Sequence, residues 1–174
     1  MIKVDNDFLN IVNDILENPK FKELKNIKHH GECNTTYQHS IKTAYFAYKF
    51  CKICNLKDKE IIEITRATLL HDFYDEKWRY AKRTNFFKMH AFKHGEVAAK
   101  NAKKYFDITE KQKDAIVNHM FPLTMWPHHK EGWVVTFADK IISTREMCDA
   151  CIFYLSTKNH KNKILQNNNI KILK

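Results

Sequence analysis

Glycine and proline are scarce in this sequence, with 3 of each in 174 residues. β-Sandwiches and barrels need many turns rich in those residues, so the scarcity argues against an all-β architecture and for long helices. No apolar run approaches the roughly 18–20 residues that a membrane-spanning helix requires, so no membrane partner is expected. There is no glycine-rich phosphate loop and no internal repeat. Cysteine numbers 5, an odd count, and no secretory signal precedes it. A disulfide framework is therefore not expected, and the chain reads as cytoplasmic with reduced thiols. Cys51 and Cys54 form a C-x-x-C pair, a spacing used by zinc and redox sites. The pair lies inside a helical pattern with no second pair, and core packing is the simpler account.

What is present points to one folded domain. Hydrophobic residues make up 44%, including 12 Phe and 7 Tyr, which is enough to bury a sizeable core. The formal charge is +10, from 30 Lys+Arg against 20 Asp+Glu. The lysines are scattered along amphipathic segments, so a solvated basic surface is favoured over a dedicated nucleic-acid face. A positive field also suits a small phosphorylated substrate, a nucleotide first among them. The oligomeric state is not legible.

The periodicity predicts an all-α, single-domain helical bundle. Residues 1–28 form an N-terminal helical segment, with one apolar stripe (Phe8, Leu9, Ile11, Val12, Ile15, Leu16) capped by Asp5 or Asn6 and ended at Asn18-Pro19. Residues 29–36 read as loop, with the Thr35-Thr36 pair starting a helix that runs to about Cys54. Asp58 opens the next helix, nearly all buried towards Leu70. Residues 73–90 read as an irregular loop over the site. A helix over 94–106 follows, then one started by the capping-box pair Thr109 and Gln112 and ending near Met120. After a loop over 121–130, a last helix begins near Glu131 and its pattern persists to about Leu155. The domain proper is thus 29–155, and 156–174 is a polar tail rich in Lys and Asn.

One stretch organises the rest: Leu69-Leu70-His71-Asp72-Phe73. His39 precedes it, and His94, His119 and Asp139 follow, each on a helix or at a helix end. A lone buried histidine is more often a satisfied core residue than a ligand. Asp139, flanked by apolar neighbours in mid-helix, is more telling, because buried acids are rarely unpaired. Helical bundles can gather such residues from several helices onto one interior point. Imidazoles and carboxylates together suit a divalent transition metal (Fe, Mn, Zn, Co or Ni), and the lack of cysteine argues against a structural zinc cage. His29, His30, His128 and His129 are poorer candidates because they fall in loops, and His90 ranks as a supporting residue at most.

The order His39, His71-Asp72, Asp139 resembles the defining quartet of the HD-domain phosphohydrolase superfamily. His94 and His119 match its extended six-ligand variant. Further strings carry the resemblance: His30-Gly31, Thr36-Tyr37-Gln38-His39-Ser40, Arg66-Ala67, His90-Ala91-Phe92-Lys93-His94, His119-Met120-Phe121-Pro122-Leu123-Thr124 and Ala138-Asp139-Lys140. It covers roughly residues 30–147 and is closest to bacterial HD-domain proteins of unassigned substrate. The ligand order is also similar to that of the HD-type diadenosine tetraphosphate hydrolases, which use a di-iron centre. Gly95 departs from the pattern, since closer relatives usually have proline there, and so does the 74–79 segment.

The resemblance implies a metal-dependent phosphohydrolase using a metal-activated water. His39, His71, Asp72 and Asp139 would hold one ion, and His94 and His119 a second. Asp72 would bridge the two as the central catalytic residue. Substrate phosphate needs cations, and three are placed for it. Lys42 lies three residues after His39 on the same helix face, Arg66 five before the His-Asp pair, and Lys140 beside Asp139. Two alternatives compete: an HD-type di-iron oxygenase with the same ligand order, and a non-enzymatic module that binds nucleotide or nucleic acid.

Overall fold

The helices start and stop where local chemistry tells them to. In the computed structural model, which describes residues 5–29, 34–75 and 90–172 (backbone only for 90–92 and 157–172), α1 runs Asn6–Glu17 behind an Asp5 cap. A single-turn α2, Pro19–Lys22, follows with proline in its first turn, and a 3₁₀ turn covers Glu23–Asn26. α3 spans Thr36–Ile53. It begins with a capping box in which Thr35 Oγ1 accepts from the Gln38 backbone N–H and Gln38 Oε1 accepts from that of Thr35. It ends before Asn55, whose φ of 52° lies in the left-handed region that asparagine tolerates. α4 is Asp58–Leu70, α5 His90–Tyr105, α6 Glu110–Asn118 and α7 Lys130–Ile172. Thr109 and Gln112 close the expected capping box of α6.

α4 is the central helix, touching α1, α3, α5, α6 and α7. That position explains its composition. Ile61, Ile64, Thr65, Ala67, Thr68, Leu69 and Leu70 are all buried, so little of its last two turns faces water. Each fully buried leucine there contributes about 1.5–3 kcal/mol of transfer free energy. The sequence therefore fixes which helix sits innermost, and the His71-Asp72 pair at its end comes to lie inside the protein. Phe21 and Phe73 pack with Tyr37, Tyr105 and Phe106 beneath the same end.

Three details differ from the sequence reading. Residues 29–36 are not simply loop: Lys28–His29 pairs antiparallel with Asn34–Thr35, placing His29 opposite Asn34. α5 starts at His90, so His94 stands one turn inside it and not at its first residue. α7 continues past Leu155 to Ile172, because the Lys- and Asn-rich segment contains no glycine or proline to stop it. Cys51 is buried as a core residue, but Cys54 is exposed. The predicted loop over the site falls mostly in 76–89, outside the described residues, as does His30.

Candidate metal centre

Three helix ends and two positions within helices bring the chemistry together. His39 lies in the first turn of α3, and His71 is the C-terminal cap residue of α4, followed by Asp72. His119 is the C-terminal cap residue of α6, while Asp139 comes from the interior of α7. His94 arrives on α5, which approaches α6 closely because residue 95 is glycine. A Cβ at Gly95 would sit 2.7 Å from the Ile116 carbonyl oxygen and 2.8 Å from that of Val117. All six residues are at most 5% exposed.

The tautomers follow from what each Nδ1 meets. A carbonyl oxygen only accepts, so the Nδ1 atoms of His71, 2.6 Å from Thr68 O, and of His119, 2.7 Å from Ile116 O, carry the proton. His39 Nδ1 donates likewise to Glu146 Oε2 at 2.9 Å. In the neutral rings each Nε2 is then a lone pair, and these lone pairs converge. His39 Nε2 is 3.3 Å from His71 Nε2, and Asp139 Oδ1 lies 3.3 and 3.7 Å from the two. Three acceptors that close require a proton or a metal cation among them.

A second group shares Asp72. His94 Nε2 is 2.8 Å from His119 Nε2, and Asp72 Oδ1 lies 3.4 Å from the first and 4.0 Å from the second. Asp72 Oδ1 is buried and accepts no hydrogen bond among the described residues, an arrangement that is costly unless a cation is near. Asp72 Oδ2 points to the other side, 3.6 Å from His71 Nε2. The ligand atoms of His39, His71 and Asp72 all lie within 4.8 Å of one another, as do those of Asp72, His94 and His119. The residues present thus fit divalent metal, in two adjoining groups joined by Asp72.

The electrostatics agree. Burial alone would raise the Asp72 and Asp139 carboxyls, but the surrounding imidazoles outweigh it and hold both well below the usual range. Burial lowers His71, yet the charges of Asp72 and Asp139 leave it raised. His119 behaves oppositely: burial, with His94 and His71 beside it, pushes it down to about 3. The C-terminal position on α6 by itself favours the charged ring through the helix dipole. Burial and the neighbouring imidazoles instead keep the ring neutral, and the Ile116 carbonyl places its proton on Nδ1, which leaves Nε2 for metal.

Two residues of this centre escaped the sequence reading. His29, ranked low as a loop residue, is buried and stacks on His39 with ring centroids 3.9 Å apart. Its Nε2 lies 3.2 Å from Asp72 Oδ2. Glu146 is 3% exposed and holds His39. It lies seven residues after Asp139 with Ser143 between, a helical stripe of polar positions that was the available signal. His128 is exposed and bonded to Asp114, away from the cluster.

The predicted phosphate contacts divide. Lys140 Nζ is 3.1 Å from Asp139 Oδ2, and Lys42 Nζ donates to Glu146 Oε1 at 2.9 Å and to Asn34 Oδ1 at 2.7 Å. Both are partly exposed at the edge of the centre. Arg66 is not brought in: its guanidinium binds both oxygens of Asp14, at 2.7 and 2.8 Å, and the Ile11 carbonyl, so its donors face α1.

A family model described as the HD domain matches residues 36–143, well over half of the chain. The chain belongs to the HD domain family. His39, His71, Asp72, His94, His119 and Asp139 all fall inside the matched segment, whereas His29 and Glu146 fall outside it. HD domains bind divalent metals, and the family consists mostly of metal-dependent phosphohydrolases. No curated protein and no solved structure matches the chain. Among the described residues, no helix is long and apolar enough to cross a membrane.

Proposed function

We propose that this HD domain is a phosphohydrolase acting on a nucleotide or another small phosphate ester in the cytoplasm. The observation that supports it most is the doubled ligand set: two groups of imidazole nitrogens meeting the two oxygens of one buried carboxylate, Asp72. His39, His71, Asp72 and Asp139 would hold one divalent ion, and Asp72, His94 and His119 a second. Such a pair lowers the pKa of a coordinated water and clamps phosphoryl oxygens.

The chain's own residues do the rest. The Thr68 and Ile116 carbonyls and Glu146 fix the rings of His71, His119 and His39, so these three are already oriented when charge develops. Asp72 Oδ1 and Oδ2 keep the two groups at a fixed separation. Lys140, bonded to Asp139 and partly exposed, can turn towards a phosphate at the rim, and Lys42 is the second cation within reach of that edge.

The test is phosphate release from a panel of nucleotides and simple phosphate monoesters, by protein loaded with Fe(II), Mn(II), Co(II), Ni(II) or Zn(II) in turn. Turnover that needs metal and disappears in Asp72→Ala supports the proposal. Dioxygen consumption by the iron form, with no phosphate released under any loading, would favour the oxygenase alternative and end this reading.

A further inference from the structure

The acid Glu146 is deeply buried, lies beyond the matched segment of the family, and with His29 and His39 forms a third group of potential ligands beside the two that share Asp72. Its two oxygens face different ways. Oε2 accepts from His39 Nδ1 at 2.9 Å and stands 3.6 Å from His29 Nδ1. Oε1 accepts from Lys42 Nζ, which is itself tied to Asn34 on the short second strand. His29, on the first strand, continues the chain: its other nitrogen reaches Asp72 Oδ2 at 3.2 Å while its ring lies flat on His39. One carboxylate therefore binds a ligand from α3 directly and stands beside the histidine that reaches the shared ligand after α4.

We propose that Glu146 is a positioning residue of the metal centre, which orients His39 and, through His29, Asp72, so that His39 Nε2 and the Asp72 carboxylate point into the site. This rests on the metal-centre reading above. The physical reason is that a ligating imidazole is set by what its other nitrogen donates to. An oxygen held there fixes the ring's rotation, and so the direction of Nε2. His71 and His119 obtain that fixing from carbonyls of their own helices. His39 is at a helix start, where free carbonyls are not available, so it must obtain its acceptor from elsewhere. Glu146 on α7 is that acceptor. Asp72 presents the matching need, since Oδ2 must be held if Oδ1 is to face the second group. His29 Nε2 is the group within hydrogen-bond distance of it.

A bland account is that Glu146 only balances the charge of Lys42. Two mild substitutions separate the accounts. Glu146→Gln keeps an oxygen where His39 Nδ1 donates but loses the charge. Glu146→Asp keeps the charge but withdraws the oxygens by one methylene. The probe is Co(II), titrated into the full chain against a competing chelator, with its visible absorption bands recorded as a report on coordination. Circular dichroism checks that each variant is folded. Positioning predicts that Asp weakens Co(II) binding about 10–100-fold and shifts the bands, while Gln retains most of the affinity. His29→Ala should shift the bands too, with a smaller loss. The opposite order, Asp near wild type and Gln weak, or unchanged affinity and spectrum in both, would overturn the inference while leaving the metal centre standing. Wild-type protein that takes up no Co(II) would instead remove the metal-centre reading, and this inference with it.

Discussion

His71 and His119 are held in the same way. Each caps the C-terminal end of its helix and donates Nδ1–H to the carbonyl three residues back, at 2.6 Å to Thr68 and 2.7 Å to Ile116. The last carbonyls of a helix lack intrahelical partners. The bundle uses two of them to present two neutral rings to a common interior point, with centroids 4.9 Å apart. The order of these two rings is thus a by-product of helix termination.

The pH dependence of the metal-free protein follows from the opposed shifts of His119 and His29. His119 is pushed down to about 3 by burial and its imidazole neighbours, from an ordinary 6.5. Its contribution is therefore complete above pH 6.5 and is lost as pH falls towards 3. For His29, burial lowers the ring, but the carboxylates of Asp72 and Glu146 beside it outweigh that and raise it to about 9. That contribution is complete below pH 6.5 and is lost as pH rises through about 9. Protein kept with a chelator should show its highest unfolding temperature near pH 6.5 and decline on both sides. A flat profile between about pH 4 and about pH 10 would contradict both assignments.

Gly95 is the point where α5 and α6 touch, and His94 and His119 meet because of it. In Gly95→Ala the new methyl would fall 2.7 Å from a backbone oxygen of α6, which cannot move aside as a side chain tip can. The helices must separate, at a cost of about 1–3 kcal/mol. The 2.8 Å gap between the two Nε2 atoms should widen with them. Urea unfolding should show the loss of stability, and metal titration should show weaker binding at the second group. Wild-type behaviour in both would mean that the contact yields more easily than its geometry suggests.

The fold was legible because its signals are local: helical stripes, the helix start at Thr35-Thr36, the capping pair at Thr109, and the apolar run that buries α4. The six-residue cluster was legible because buried acids and histidines at helix ends are unusual enough to be noticed together. His29 was not, since a strand of two residues has no period to read, and its burial comes from pairing with Asn34. Glu146 was passed over as one charge among many on a long helix, although its spacing from Asp139 placed it on the same face. Arg66 looked like a phosphate ligand by proximity in sequence to His71. A helix residue five positions away points to a different side, and here that side meets Asp14.

Arg66 should accordingly act on stability. Its bidentate pair with Asp14 and its bond to the Ile11 carbonyl tie α1 to the central helix. Arg66→Met should lower the unfolding free energy by about 1–3 kcal/mol, with metal content and turnover per folded molecule unchanged. The exposed side of Asp14 puts the effect towards the lower end of that range. Intact stability with lost turnover would return Arg66 to the substrate site.

The number of ions divides the two groups most sharply. His39, His71 and Asp139 meet on the Oδ2 side of Asp72, whereas His94 and His119 face Oδ1. Replacing both His94 and His119 with Ala removes the imidazoles from one side only. The Glu146 and Thr68 hydrogen bonds on the other side should remain. Fully loaded wild-type protein should therefore contain two ions per chain and the double variant one, by elemental analysis after anaerobic loading, with a sharp fall in turnover. Asp72→Ala should do more, because it takes a ligand from both groups at once, and its metal content should fall below that of the double variant. Wild-type protein saturating at one ion would make His94 and His119 supporting residues of a mononuclear centre. Asp72→Ala retaining two ions would show that the carboxylate does not join the groups, and the proposed bridge would have to be abandoned.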